Sequence, residues 1–225
     1  LRQPGSTFKP LVYAAMLERG YAPSSVIRDE PVEIRSGAEV WRPRNYSGRS
    51  YGPTTISRGR ERSYNLMAVR GAREIGIAAV AEMAERMGLY ESMGHFYPNV
   101  LGSQETTLER MVAAFASFAN GGVRVRPSLV ERVQDRLGRT IHTADPRVCF
   151  NCDIRDLPEG EAPHLDVILP DRVLDPELAR QMTGMLEGVV LRGTAARTVG
   201  PLGVPLAGKT GTTNEAKDVW FVGFS

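Results

Sequence analysis

The chain has 225 residues, 42% of them hydrophobic, and its 28 basic and 26 acidic residues leave a formal charge of +2. That length supports one sizeable core, or a core with a substantial insertion, and a single domain is expected. The basic residues are scattered with no aromatic-interleaved stripe, so no nucleic-acid partner is expected. No window approaches the roughly 18–20 apolar residues of a membrane-spanning helix, and no signal peptide opens the chain. The chain starts just before a candidate nucleophile and ends inside an apolar strand pattern, so it reads as a piece of a longer protein.

In chain order, Pro4-Gly5 breaks any preceding element, and Phe8, Leu11, Val12, Ala15 and Met16 recur at the spacing of a helix beginning near Ser6. Residues three apart on a helix share a face, which puts the Ser6 hydroxyl beside the Lys9 amine. Gly20 and Pro23-Ser24-Ser25 end that helix, and an irregular stretch to about Pro53 follows, with Val32 and Ile34 in short strand-like alternations. Trp41-Arg42-Pro43-Arg44-Asn45 reads as an extended loop covering a cleft. Helices are predicted from Asn65 to Ile75 and from Ile77 to Met87, then from a capping box at Thr106-Thr107-Leu108-Glu109 to Ala119. Leu129–Val133 and Arg139–His142 flank a polar turn and predict a hairpin. From Asp145 to about Pro176 the periodicity fades, which suggests an irregular insertion over about 145–176. Asp175 then caps a helix carrying Leu178, Met182, Met185, Leu186 and Val189, and Pro205–Gly211 and Val219–Phe224 read as antiparallel strands.

A serine three residues before a lysine is by itself more often a helix cap beside a solvated lysine than a catalytic pair. Two further stretches change that weighting: Ser63-Tyr64-Asn65 and Lys209-Thr210-Gly211-Thr212 supply S-x-N and K-T-G, which with S-x-x-K make up a known acyl-transfer motif set. In that chemistry Ser6 is the nucleophile and Lys9 its base, which must be deprotonated, and burial beside a second cation, Lys209, would favour the neutral amine. Ser63 would relay a proton to the leaving amine and Asn65 would hydrogen-bond the substrate amide. Lys209 and the hydroxyls of Thr210 and Thr212 would hold a substrate carboxylate, with Gly211 letting the strand backbone approach the ligand. The backbone N–H groups of Ser6 and Thr212 would face the developing oxyanion.

With these motifs the chain resembles the transpeptidase domain of class A penicillin-binding proteins, most closely the penicillin-binding protein 1A family. The likeness runs through Pro4-Gly5-Ser6-Thr7-Phe8-Lys9-Pro10, Trp41-Arg42-Pro43-Arg44-Asn45, Ser63-Tyr64-Asn65, Leu101-Gly102-Ser103, Ala119-Asn120-Gly121-Gly122, Arg192-Gly193-Thr194 and Gly208-Lys209-Thr210-Gly211-Thr212-Thr213-Asn214. It implies an α+β fold of the penicillin-binding-protein and serine β-lactamase type, an antiparallel sheet with helices packed on it and an all-helical subdomain, truncated here. It implies that peptidoglycan stem peptides ending in D-Ala-D-Ala acylate Ser6, that a neighbouring amine resolves the acyl-enzyme, and that β-lactams acylate Ser6 and leave slowly. No metal and no cofactor is called for. The family's N-terminal membrane anchor and glycosyltransferase domain do not occur in this chain; membrane association would come only through that anchor, at the periplasmic, extracytoplasmic face of the bacterial inner membrane.

Rival readings are weaker. A hydrolytic β-lactamase of class A would hold its deacylating water on a glutamate in an E-x-x-x-N pattern, and no glutamate between Ser63 and Lys209 has an asparagine four residues on. Gly203 to Thr210 matches a phosphate-binding loop, but Pro205 lies inside it and Gly211 follows at once where a helix should open. A catalytically silent binding module is the third alternative, against which stand all the reactive side chains. Cys149-Phe150-Asn151-Cys152 reads best as a local disulfide in an oxidising compartment, with reduced thiols or a weak metal site involving His142 or His164 as alternatives.

Overall fold

The computed structural model describes residues 1–37, 39–144, 147–150, 164–167, 171–213 and 217–225. The chain divides into two compact units, Leu1–Val125 with Val173–Ser225, and Arg126–Arg172.

At the centre of the larger unit lies helix α1 (Lys9–Glu18), in which every residue from Lys9 to Leu17 is buried. A helix buried on all sides must be walled in by other elements. Here α3 (Asn65–Ile75), α4 (Ile77–Arg86) and α6 (Pro176–Leu191) pack around it, with α5 (Leu108–Ala119) against α6. The expected helical start near Ser6 is replaced by a 3₁₀ turn at Gly5–Phe8, and α1 begins only at Lys9. Pro10 sits within the first two positions of α1, where its missing N–H costs nothing.

The stretch between Gly20 and Pro53 carries more structure than its turn-rich composition suggests. Strands β1 (Val26–Asp29) and β4 (Gly52–Thr55) pair antiparallel across it, and β2 (Ile34–Ser36) pairs with β3 (Glu39–Trp41). Val32 is a buried loop residue rather than part of a strand. A short helix, α2 (Ile56–Glu61), which periodicity did not announce, is capped by the Thr55 side chain accepting from Arg58 N. The cap of α5 lies one residue later than expected: the Thr107 side chain accepts from Arg110 N, while Thr106 is buried and donates its hydroxyl to Leu89 O. Asp175 caps α6 through Glu177 N.

Strands β9 (Ala207–Thr212) and β10 (Val219–Phe224) form an antiparallel pair with Lys209 opposite Val222 and Thr212 opposite Val219. Lys209-Thr210 therefore stands inside a strand that turns back into another strand, not at the mouth of a helix. That geometry removes the phosphate-loop alternative. Among the described residues the expected antiparallel sheet consists of two-stranded ladders.

In the smaller unit, β5 (Arg132–Gln134) and β6 (Thr140–Thr143) form the predicted hairpin, its turn closed by Leu137 N and Arg139 N donating to Asp135 Oδ1. The stretch expected to be irregular contains a ladder of its own, β7 (Arg147–Phe150) with β8 (His164–Val167). Cys149 lies in β7, and its C-x-x-C partner Cys152 falls outside the described residues.

The 3₁₀ turn is fixed by backbone on both sides. Gly5 has φ +54°, its N–H donates to Gly102 O at 3.1 Å, and a Cβ built on Gly102 (φ +78°) would lie 2.2 Å from Gly5 O. On the opposite side a Cβ on Gly5 would meet Thr212 O at 2.8 Å, and one on Gly211 would meet Pro4 O at 2.6 Å. No side chain other than hydrogen fits these approaches. Gly102→Ala should therefore destabilise the protein by about 2 kcal/mol or more. An unchanged urea midpoint in that variant would show that Gly102 does not press on the turn.

Candidate active site

The turn that carries Ser6 is closed by Thr7, whose N–H and hydroxyl both donate to Pro4 O, at 3.2 and 2.6 Å. Ser6 is half-buried, and among the described residues its hydroxyl makes no hydrogen bond. Its N–H belongs to the first turn of a helical start, where amides lack intrahelical partners.

Lys9 is fully buried, and among the described residues its amine makes no hydrogen bond to Ser6. Nζ instead donates to Ser63 O at 2.6 Å, Asn65 Oδ1 at 2.6 Å and Ser63 Oγ at 3.2 Å. Residues three apart in a 3₁₀ turn eclipse one another, so Ser6 and Lys9 stay on one face, and what holds the amine is the trio of acceptors on Ser63 and Asn65. Burial holds the Lys9 amine down at about 7, with the Asp29 carboxylate acting in the opposite direction.

Lys209 arrives from β9, also fully buried, and donates to Ser63 Oγ at 2.9 Å and to Thr210 O at 2.8 Å. Its pKa lies well below the ordinary lysine value, first through burial and then through the charges of Lys9 and Arg60. The Ser63 hydroxyl thus lies between two amines. Two ammonium groups cannot share one oxygen in a dry site at low cost, so the two amines together hold fewer protons than separated lysines would.

Strand register places Thr212. Thr213 N donates to Asp218 O at 3.1 Å, so the next pair along, Thr212 with Val219, is the non-hydrogen-bonded kind. The N–H and C=O of Thr212 then point away from β10, on the side where Gly5 lies against them. Gly211 is needed by the protein's own Pro4–Thr7 turn, which closes on it before any ligand does. Thr210 shares a 2.6 Å hydrogen bond with the Thr194 hydroxyl, and Thr212 is exposed.

Ser63 has φ 59°, the only positive value at a non-glycine position among the described residues. Such a conformation costs on the order of 1–2 kcal/mol at a residue with a Cβ, and here it turns both the carbonyl and the hydroxyl of Ser63 onto the lysines.

These motifs meet in a chain whose relatives are known. Residues 2–225 match the family described as penicillin binding protein transpeptidase domain. The chain belongs to that family. Penicillin-binding protein 1A of Rickettsia bellii is 42% identical across the whole chain, and that of Neisseria meningitidis serogroup A is 36% identical, again across all of it. The chain spans 29% and 27% of the length of these relatives. The crystal structure of penicillin-binding protein 1A from Haemophilus influenzae superposes with a TM-score of 0.84 at 32% identity, covering the whole chain and 36% of that protein. Penicillin-binding protein A of Mycobacterium tuberculosis, solved as an imipenem acyl-enzyme complex, has the same fold at 20% identity and a TM-score of 0.71, over 99% of this chain and 52% of its own. The α+β class with the penicillin-binding-protein fold, expected from the motifs, is the fold observed.

Several residues that position the candidate site have no chemical role assigned from the sequence. Asn45, buried at the end of the Trp41–Asn45 loop, accepts from Asn65 N at 2.7 Å and Leu66 N at 3.2 Å, capping α3 from a distance. Its Nδ2 donates to Asp29 Oδ2 at 2.7 Å and to Arg49 O at 2.9 Å. Asn65 Nδ2 meanwhile donates to Arg44 O at 2.7 Å, so the loop grips both ends of the Asn65 residue. Arg192-Gly193-Thr194 clamps α2: Arg192 pairs with Glu61 at 2.6 Å and Thr194 N donates to Glu61 O at 3.1 Å. A paired asparagine in a loop gives no periodic signal, which is why only a whole-motif likeness had flagged it. Asn45→Ala removes two amide caps and leaves Asp29 with one fewer donor. It should lower stability by about 2–3 kcal/mol, measured as a fall in the urea midpoint, and an unshifted midpoint would contradict the capping role.

Proposed function

We propose that this domain is a serine-type DD-transpeptidase that cross-links peptidoglycan stem peptides ending in D-Ala-D-Ala and is inhibited by β-lactams. The observation that carries the reading is the meeting of both lysines on the Ser63 hydroxyl, beside the strand that abuts the Ser6 turn. Family membership and the names of the relatives support it. It places the domain's work on the periplasmic, extracytoplasmic face of the bacterial inner membrane. The transpeptidase domain extends over the whole of 1–225 in this reading, with an insertion at about 145–176.

In the proposed reaction Ser6 Oγ bonds to the carbonyl carbon of the penultimate D-alanine. Its proton passes to the lone pair of a neutral Lys9. A neutral amine has two donors, enough for the two 2.6 Å acceptors, Ser63 O and Asn65 Oδ1, so the longer contact to Ser63 Oγ is the one that yields. The backbone N–H groups of Ser6 and Thr212 take the oxyanion. As the tetrahedral intermediate collapses, the C–N bond breaks and the leaving D-alanine nitrogen takes the Ser63 hydroxyl proton. Lys9, now protonated, returns a proton to Ser63. Resolution runs the same path backward: the acceptor amine loses its proton through Ser63 and Lys9 to Ser6 Oγ. Asn65 supports the substrate amide, while the Thr210 and Thr212 hydroxyls, with the Lys209 amine behind them, take the terminal carboxylate. A β-lactam enters as a strained amide whose leaving nitrogen stays tethered, so the adduct on Ser6 persists.

Intact mass after incubation with a penicillin should show one added penicillin in the wild-type chain and none in Ser6→Ala. Adduct formation that survives Ser6→Ala would overturn the assignment. Because protonation removes the Lys9 lone pair, the acylation rate should fall as pH drops through about 7 and level off above it. A limb near the ordinary lysine value of about 10 would mean that the base is not a buried, depressed amine.

A further inference from the structure

Beneath the proposed site lies a third buried cation that the motif chemistry does not use. Arg60, near the end of α2, is fully buried, and among the described residues none of its three side-chain nitrogens has a hydrogen-bond partner. Tyr13 on α1 and Asp29 on β1 likewise keep a buried, unpartnered side-chain oxygen. An unpaired buried guanidinium costs stability, and an apolar side chain of similar volume is commonly neutral or better in such a place. Packing therefore gives no reason for an arginine here.

Its place in the fold does. Arg60 O accepts from Ser63 N at 3.0 Å, so the guanidinium is rooted one turn before the residue on which both lysines converge. The charged and titratable groups set around it are Tyr13 on α1, Glu61 on α2 and Lys209 on β9, with Lys9 on the far side of Lys209 and Asp29 on the far side of Tyr13. Arg192 on α6 stands behind Glu61 in an ion pair. Three cations thus share one buried region with a single carboxylate of comparable burial, Asp29. When protons must be given up there, a guanidinium is the last of the three to do so.

We propose that Arg60 is a positioning residue for the acyl transfer, a fixed internal cation that keeps the Lys9–Ser63–Lys209 relay short of a proton. The deficit then falls on the amines, one of which must be neutral to take the Ser6 proton. This rests on the transpeptidase reading. Burial lowers Arg60 itself only to about 9, so it remains charged at neutral pH, and its charge is among the causes that depress Lys209.

The test is the pH dependence of covalent labelling by a fluorescent penicillin in the wild-type chain, Arg60→Leu and Arg60→Lys. Removing the cation should raise the acid limb of Arg60→Leu by about one pH unit, with roughly tenfold slower labelling below the limb. The plateau rate should change little, and the melting temperature should hold or rise. Arg60→Lys, which keeps a charge, should restore part of the shift. An Arg60→Leu limb that coincides with wild type overturns the proposal, and so does an Arg60→Leu chain that fails to fold, since the guanidinium would then be a structural anchor. Absence of labelling in the wild-type chain would instead count against the transpeptidase reading itself.

Discussion

A single hydroxyl, that of Ser63, accepts from two lysines that have no water to turn to. In solvent each amine would hold its proton up to high pH, and a serine between them would be unremarkable. Burial reverses that preference, because a charge removed from water is stabilised only by what surrounds it. At this oxygen stand two amines, with the Arg60 guanidinium acting on Lys209 and the Asp29 carboxylate on Lys9. The outcome is a relay whose protons are held loosely. The rest of the larger unit keeps it dry: α1 is surrounded by helices, and β9 closes the remaining side.

In the proposed reaction such a relay acts on Ser6 only if Ser6 is held in place, and the holding is done by backbone. Gly102, Gly5 and Gly211 allow three segments distant in sequence to come within contact distance without a side chain between them. Backbone contacts of this kind are stiff, since there is no rotamer to relax. They suit a residue whose oxygen must be aimed within a few tenths of an ångström of a reacting carbon. The same stiffness explains why the α-helix starts late, as the 3₁₀ turn lets Gly5 fit between Gly102 and Thr212.

Polar support extends outward from the relay in two directions. On one side the loop ending at Asn45 caps α3 and so fixes the position of Ser63 and Asn65. On the other, Arg192 and Thr194 bind Glu61 and the Thr210 hydroxyl, tying α2 to β9. Both supports reach over long sequence separations, and both hold short polar side chains whose orientation, more than their burial, is what the chemistry needs.

Much of this protein was legible as residues in order. The apolar periodicity marked α1, α3, α4, α5 and α6 because each buries one face or more, and burial imposes a repeat. The proposed reactive set stands out because S-x-x-K, S-x-N and K-T-G place particular residue types at short fixed spacings. What the order of residues could not show is which atom meets which. Helical spacing put Lys9 on the face of Ser6, yet the three acceptors that hold its amine come from Ser63 and Asn65, far away in sequence. The strained backbone of Ser63, the distant cap from Asn45 and the buried charge of Arg60 leave no periodic trace either. Each depends on contacts between segments tens of residues apart, and a local pattern records the preferences of one segment but not the partners that folding brings against it.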